Sequence, residues 1–155
     1  MGAACLAAER AQGLSILELP DRAPTGRFAD WVERIGDPFA GDHDVIYQMP
    51  FAHDGVRGVA DFVLRVIDEK TGQVSYEPVD AKLARSEAKP GHVLQLCFYA
   101  EAIEALTGIK PKQMHLWLGS GEFETIRTDD VMPYWRHLRS GFPELLREAL
   151  SLIPI

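Results

Sequence analysis

The feature that most constrains this chain is a run of three strand-like segments between Asp44 and Leu83, punctuated by two tight turns. Asp44–Phe51 and Arg57–Ile67 are rich in Val, Ile, Phe and Tyr, and His53-Asp54-Gly55 stands between them. Asp-Gly readily supplies the positive-φ residues of the hairpin turn whose twist matches paired strands. The turn Asp68–Gln73, with Thr71-Gly72 inside it, then leads to a third strand over Val74–Leu83. Three strands joined this closely form a meander, and a meander alone leaves an apolar face exposed to water. The flanking sequence must supply helices to cover it.

The flanks carry such helices. Ala3–Gln12 is Ala-rich and ends at Gly13, a helix stop, after which Leu14–Leu19 alternates weakly as a strand up to Pro20-Asp21. Phe28, Trp31, Val32 and Ile35 have the i, i+3, i+4, i+7 spacing of a short amphipathic helix. Lys89-Pro90 opens a helix that runs to about Thr107 and is ended by Gly108. Past Pro111, a strand over Gln113–Leu118 is expected to pair across Gly119-Ser120-Gly121 with Phe123–Thr128. Asp129–Leu152 begins with acidic residues suited to a helix N-terminus and keeps apolar spacing to its end. The expected order is α, β, α, βββ, α, ββ, α, an α/β domain.

Size and composition narrow the class. A chain of 155 residues, 46% hydrophobic and 25% charged, is expected to form one globular domain rather than a disordered or fibrous one. Apolar runs such as Val93–Ala100 fall well short of the roughly 20 residues of a membrane span, and Met1–Ala8 lacks the basic start of a signal peptide. No membrane partner and a cytoplasmic location are therefore expected. Cys5 and Cys97 are isolated, so no disulfide framework and no cysteine-built zinc or iron–sulfur site is signalled. The net charge of −7 argues at face value against a polyanionic partner. Its distribution is uneven. Residues 1–54 hold nine acidic and four basic side chains, whereas Lys82–Lys112 holds five basic and three acidic ones. Such a strip is also the ordinary composition of a solvated face.

The chemistry-bearing residues are polar groups where propensity argues against them. Asp61 interrupts the apolar strand Gly58–Leu64, although aspartate is a poor strand residue. An edge position facing water is the plain explanation, and a functional carboxylate is the other. Asp80 and Lys82 lie two apart on the third strand, so both point to one face while Val79, Ala81 and Leu83 point to the other. An isolated D-x-K is ordinarily a salt bridge. With Asp61 on the preceding strand, however, two carboxylates can converge on one divalent cation beside a lysine, an arrangement suited to phosphodiester hydrolysis. On the next helix Gln95 and Tyr99 stack as an i, i+4 pair, with His92 one turn earlier. Opposite them, Val93, Leu94, Cys97, Ala100 and Leu106 are expected to pack in the core. The polar stripe itself reads equally as a solvated face.

These residues, in this order, resemble a known family. Gly58-x-x-Asp61, Asp80-Ala81-Lys82 and Gln95-x-x-x-Tyr99 are similar to motifs II, III and IV of the PD-(D/E)XK nucleases, in particular the RecB-like exonuclease branch. The likeness spans about Val45 to Tyr134, and the phrases Tyr76–Arg85 and Gln95–Ala100 resemble a bacterial RecB-like subgroup. It implies a restriction-endonuclease-like core, with a central mixed sheet of about four to six strands flanked by helices. It implies a Mg²⁺- or Mn²⁺-dependent deoxyribonuclease of exonuclease type, with RNA left open as a substrate and DNA repair as a setting. Asp61, Asp80 and the Ala81 carbonyl would ligate the metal, and Lys82 would position the attacking water and stabilise charge on the phosphate. Gln95 and Tyr99, with His92 and Arg85 nearby, would hold the nucleic-acid backbone or support the site. No iron–sulfur cluster is expected.

One departure stands out. The family places an acid, often preceded by histidine, on its first helix, and here that helix offers only Glu9. Aligning Gly13-Leu14 with the family's helix-to-strand corner puts the expected acid near Gly2 or Ala3. Residues 1–155 are thus expected to form a single nuclease-like domain lacking part of its first helix, with further domains of a longer chain as partners. A catalytically incomplete module, serving nucleic-acid binding or assembly, is the alternative.

Other motifs are missing from the sequence: G-x-x-x-x-G-K, G-x-G-x-x-G, H-E-x-x-H and G-x-S-x-G do not occur. His43, His53, His115 and His137 lack metal-ligand spacing and read as surface or satisfied polar residues. Trp31, Trp117 and Trp135 read as core or interface anchors.

Overall fold

In the computed structural model, residues 13–82 and 90–141 are described. The two turns of the meander form as their residues demand. Asp54 and Gly55 adopt φ of 49° and 78°, the positive pair of a tight hairpin turn. They join β2 (Val45–His53) to β3 (Val56–Ile67). At the second turn Asp68 Oδ1 accepts the Lys70 and Thr71 amides at 2.8 and 3.0 Å, and Gly72 takes a φ of 71°. The chain then returns as β4 (Val74–Lys82), antiparallel to β3.

Three more strands complete the sheet: β1 (Ile16–Glu18), β5 (Gln113–Leu118) and β6 (Phe123–Arg127). The spatial order is β1-β2-β3-β4-β5-β6, with β1·β2 and β4·β5 parallel and the other neighbours antiparallel. Parallel neighbours need crossover connections. The first carries α1 (Phe28–Ile35) and a short 3₁₀ turn, Pro38–Ala40; the second carries α2 (Pro90–Thr107). Gly108, with φ 79°, donates its amide to the Glu104 carbonyl at 2.8 Å and ends α2. The last described element is α3 (Thr128–Gly141), with Asp129 and Asp130 in its first turn. The architecture is thus a six-stranded mixed α/β sheet flanked by helices, at the upper end of the expected strand count. The expected first helix, Leu83 and the expected continuation of the last helix to Leu152 lie outside the described residues.

The two sheet faces differ. Ile46, Met49, Phe51, Ala60 and Val63 pack with Leu96, Tyr99, Ile103 and Trp135 from α2 and α3 in the main core. Val45, Phe62, Val79 and Ala81 form a smaller cluster with Tyr47, Leu64 and Trp117 against the other face. A cleft of about 430 Å³ opens on that second face beside Phe62, Val79, Trp117 and Phe123. Among the described residues no helix is long and apolar enough to cross a membrane.

Helix α2 departs from the amphipathic expectation. His92, Gln95 and Tyr99 are buried, so the polar stripe is turned toward protein and not toward water. Leu106, expected in the core, is 63% exposed, and Val93 and Leu94 are only partly buried. The physical reason is the width of the sheet beneath it. A helix laid across a broad sheet buries its sheet-facing residues whatever their polarity, provided that polar ones find partners.

Candidate functional site

Strands β3 and β4 separate where the sequence places its acids. Their ladder ends at Phe62 opposite Val79, so the next residues in register are Asp61 and Asp80. Beyond that point the Ala81 amide donates to Asp61 Oδ2 at 2.7 Å instead of to a backbone carbonyl of β3. This explains an aspartate in an apolar strand: its carboxylate supplies an acceptor where the ladder parts. Asp61 is partly buried within the sheet, so the edge-strand explanation does not apply.

Asp80 is 2% exposed, and Lys82 Nζ lies 2.9 Å from its Oδ2. Alternation along β4 holds as expected, with Val79 and Ala81 in the smaller cluster and Asp80 and Lys82 on the opposite side. The ion pair satisfies Asp80 incompletely: Oδ2 is buried and has no well-angled hydrogen-bond donor among the described residues. Burial first, and then hydrogen bonding to and repulsion from Asp61, push the Asp80 carboxyl up to about 8, against the opposing pull of Lys82.

Helix α2 contributes a short hydrogen-bonded relay. Tyr99 Oη donates to the Val59 carbonyl at 2.8 Å, and Gln95 Nε2 donates to Tyr99 Oη at 2.9 Å. Because Tyr99 has one proton and Val59 receives it, only the amide nitrogen of Gln95 can face the phenol. That leaves Gln95 Oε1 buried without a donor among the described residues. Gly58 admits the ring: a Cβ there would stand 3.1 Å from both Cε1 and Oη of Tyr99. The Tyr99 hydroxyl is held well above its ordinary value, mainly by burial and next by the charge of Asp80, which places the relay within the field of the carboxylates. His92, also buried, lies in the first turn of the same helix. Arg85 and Glu9 lie outside the described residues.

The site therefore brings together Asp61, Asp80, Ala81 and Lys82 from the sheet and Gln95 and Tyr99 from α2. Two carboxylates beside one lysine suit a hard divalent cation that prefers oxygen ligands. Asp80 Oδ2, buried and without a well-angled hydrogen-bond donor among the described residues, is the kind of atom such an ion satisfies.

One grouping escaped the sequence spacing. His53, Asp54 and Glu101 offer ligand atoms within 4.8 Å of one another, so these three groups could hold a metal ion, although His53 has no metal-ligand spacing in the sequence. The hairpin tip meets α2 there, and contacts over such sequence separation leave no local spacing to read. Arg139 forms ion pairs with Asp54 and Glu101, and Trp135 Nε1 donates to Glu101 Oε2 at 2.7 Å, so the carboxylates already have cationic and neutral donors. Burial, and then the Arg139 charge, lower the pKa of His53. His115 is buried between Glu77, 2.8 Å from Nε2, and Thr125, 3.0 Å from Nδ1, a satisfied polar residue as expected. Trp135 is a core anchor at 1% exposure. Neither a protein-family model nor a curated protein sequence significantly matches this chain.

Proposed function

We propose that this chain is a divalent-metal-dependent nuclease that hydrolyses phosphodiester bonds of DNA at Asp61, Asp80 and Lys82. One observation carries the reading: Asp80 is buried against a second carboxylate and a lysine, with an oxygen that lacks a well-angled hydrogen-bond donor among the described residues. Asp61, Asp80 and the Ala81 carbonyl would hold Mg²⁺ or Mn²⁺, leaving other coordination positions for water and substrate oxygens. When bound, that ion would polarise the scissile phosphate and acidify the attacking water.

The remaining work belongs to the chain. The Ala81 amide fixes the Asp61 carboxylate, so this group need not reorganise on binding. Lys82, held beside Asp80, supplies fixed positive charge where the phosphate gains negative charge and orients the nucleophile. Gln95 Oε1, kept in place by Tyr99, is a ready acceptor for a proton of water or substrate.

The test is cleavage of labelled single- and double-stranded DNA with Mg²⁺ or Mn²⁺. Wild type should cleave and Asp80→Ala should not; equal activity of the two sinks the assignment. The alternative, a non-catalytic nuclease-fold module, draws support from the net charge of −7. Calorimetric titration with Mn²⁺ separates them, because a binding-only module needs no metal affinity that Asp61→Ala removes.

A further inference from the structure

Two described residues other than glycine have positive φ, Asp54 and Gln48. The tight hairpin turn accounts for Asp54. Gln48, with φ 53°, sits in the middle of β2, where no turn calls for it. Residues with a side chain avoid this conformation, and glutamine lacks the short polar side chain that lets Asn and Asp tolerate it.

Its position in the register is informative. Tyr47 pairs with Phe62 and Met49 with Ala60, so Gln48 stands opposite Asp61, and that pair is the gap in an otherwise continuous run. Both strands also change faces there. In a regular strand Tyr47 and Met49 would share a face, as would Phe62 and Ala60. Instead Tyr47 and Phe62 belong to the smaller cluster, whereas Met49 and Ala60 belong to the main core. Each strand inverts at the same step, so the pairing on either side keeps one register. The inversion frees Asp61 from the β2–β3–β4 ladder, and its carboxylate meets the Ala81 amide.

We propose that Gln48 is a positioning residue for the site: its left-handed backbone inverts β2 opposite Asp61 and thereby directs the Asp61 carboxylate onto β4. The residue acts through its backbone conformation, not through its amide group. As a contribution to metal binding this rests on the nuclease reading; as a statement about Asp61 and Ala81 it does not.

The test is a series at this position, Gln48→Gly, Gln48→Asn, Gln48→Ala and Gln48→Val, ordered by falling tolerance of positive φ. Hydrogen exchange of the Ala81 amide is followed by NMR in metal-free protein, with the Val63 and Leu116 amides reporting the rest of the sheet. Mn²⁺ affinity is measured by calorimetry with the metal alone. Gly and Asn variants should keep wild-type Ala81 protection and Mn²⁺ affinity within about twofold. The Ala variant, which differs little from glutamine in its tolerance of positive φ, should also stay near wild type. The Val variant, β-branched and strained there, should lose Ala81 protection several-fold while Val63 and Leu116 stay protected, and its Mn²⁺ affinity should fall with it. Wild-type exchange at Ala81 in the Val variant overturns the proposal, as does loss of protection in the Gly or Ala variant, which would assign the effect to the side chain. Gln48→Thr, β-branched and polar, decides the matter if the Val variant fails to fold. If Ala81 exchange follows the series but wild type binds no Mn²⁺, the positioning role stands and the metal reading fails.

Discussion

Strand β4 carries two buried acids, Glu77 and Asp80, three residues apart and on opposite faces of the sheet. Glu77 meets His115 at 2.8 Å, and His115 in turn meets Thr125, so both imidazole nitrogens and the carboxylate are engaged. Asp80 meets a lysine and another carboxylate, and retains a buried oxygen without a well-angled hydrogen-bond donor among the described residues. Burial is nearly the same, at 5% and 2% exposure; completeness of pairing differs. Removing one partner of a fully paired buried acid costs the fold, whereas an acid crowded by like charge itself opposes folding.

The most severe way to break this comparison is to neutralise each acid in turn. Asp80→Asn should lower DNA cleavage by about 10²–10³-fold or more, the scale seen when a group aimed at developing charge is removed. It should also abolish Mn²⁺ binding. Glu77→Gln should leave Mn²⁺ affinity within about twofold of wild type, but destabilise the fold by about 3 kcal/mol, because a buried pair loses one partner. Urea denaturation and calorimetry on the two variants check both halves. A Glu77→Gln variant that loses metal affinity without losing stability would reverse the roles assigned here.

The comparison sharpens with pH. An unfolded aspartate titrates near 3.9, while Asp80 in the folded chain is pushed up to about 8. Between those values the folded state holds a proton that the unfolded state has released, so this group makes stability fall as pH rises from about 4 to about 8. Below that window the penalty is absent. Asp80→Asn should flatten the slope and raise metal-free stability at pH 8 by about 1–2 kcal/mol. Wild-type Mn²⁺ affinity should increase over the same range, since the cation competes with the proton. A metal-free stability profile unchanged by Asp80→Asn would remove the strain assigned to the carboxylate pair.

Strand and helix positions were largely legible because turn chemistry and periodicity are local. Asp54-Gly55, Gly108 and the Phe28–Ile35 spacing each mark a boundary or element that the structure contains. Asp80 and Lys82 sharing a face was legible for the same reason, since alternation holds along β4. Alternation fails at Gln48 and Asp61, where two strands invert together, and no local pattern announces a matched pair of inversions. Burial of the α2 stripe was hidden differently. Gln95 and Tyr99 facing a polar site have the same spacing as residues facing water, and only their neighbours across the sheet distinguish the two cases. His53, Asp54 and Glu101 come together through long-range packing of a hairpin tip on α2, which leaves no sequence signature.

The mildest perturbation acts through the relay that holds Gln95. A methyl group at Gly58 would stand 3.1 Å from Tyr99 Cε1 and Oη, so the ring must move by a few tenths of an ångström. Tyr99 is wholly buried and packs against Phe51 and Phe98, with ring centroids 5.7 and 5.6 Å away, which limits that movement. Gly58→Ala should therefore cost about 1–2 kcal/mol through overpacking. It should also weaken the Tyr99 bond to Val59 O and, through Tyr99, loosen Gln95. Cleavage should drop several-fold while Mn²⁺ affinity stays near wild type, because Asp61 keeps its support from the Ala81 amide and Asp80 keeps its ion pair with Lys82. Tyr99→Phe in the Gly58→Ala background decides whether the effect travels this way. With the hydroxyl already gone, adding the methyl should have little further effect on cleavage, and two independent, multiplying losses would show that Gly58 acts by another route.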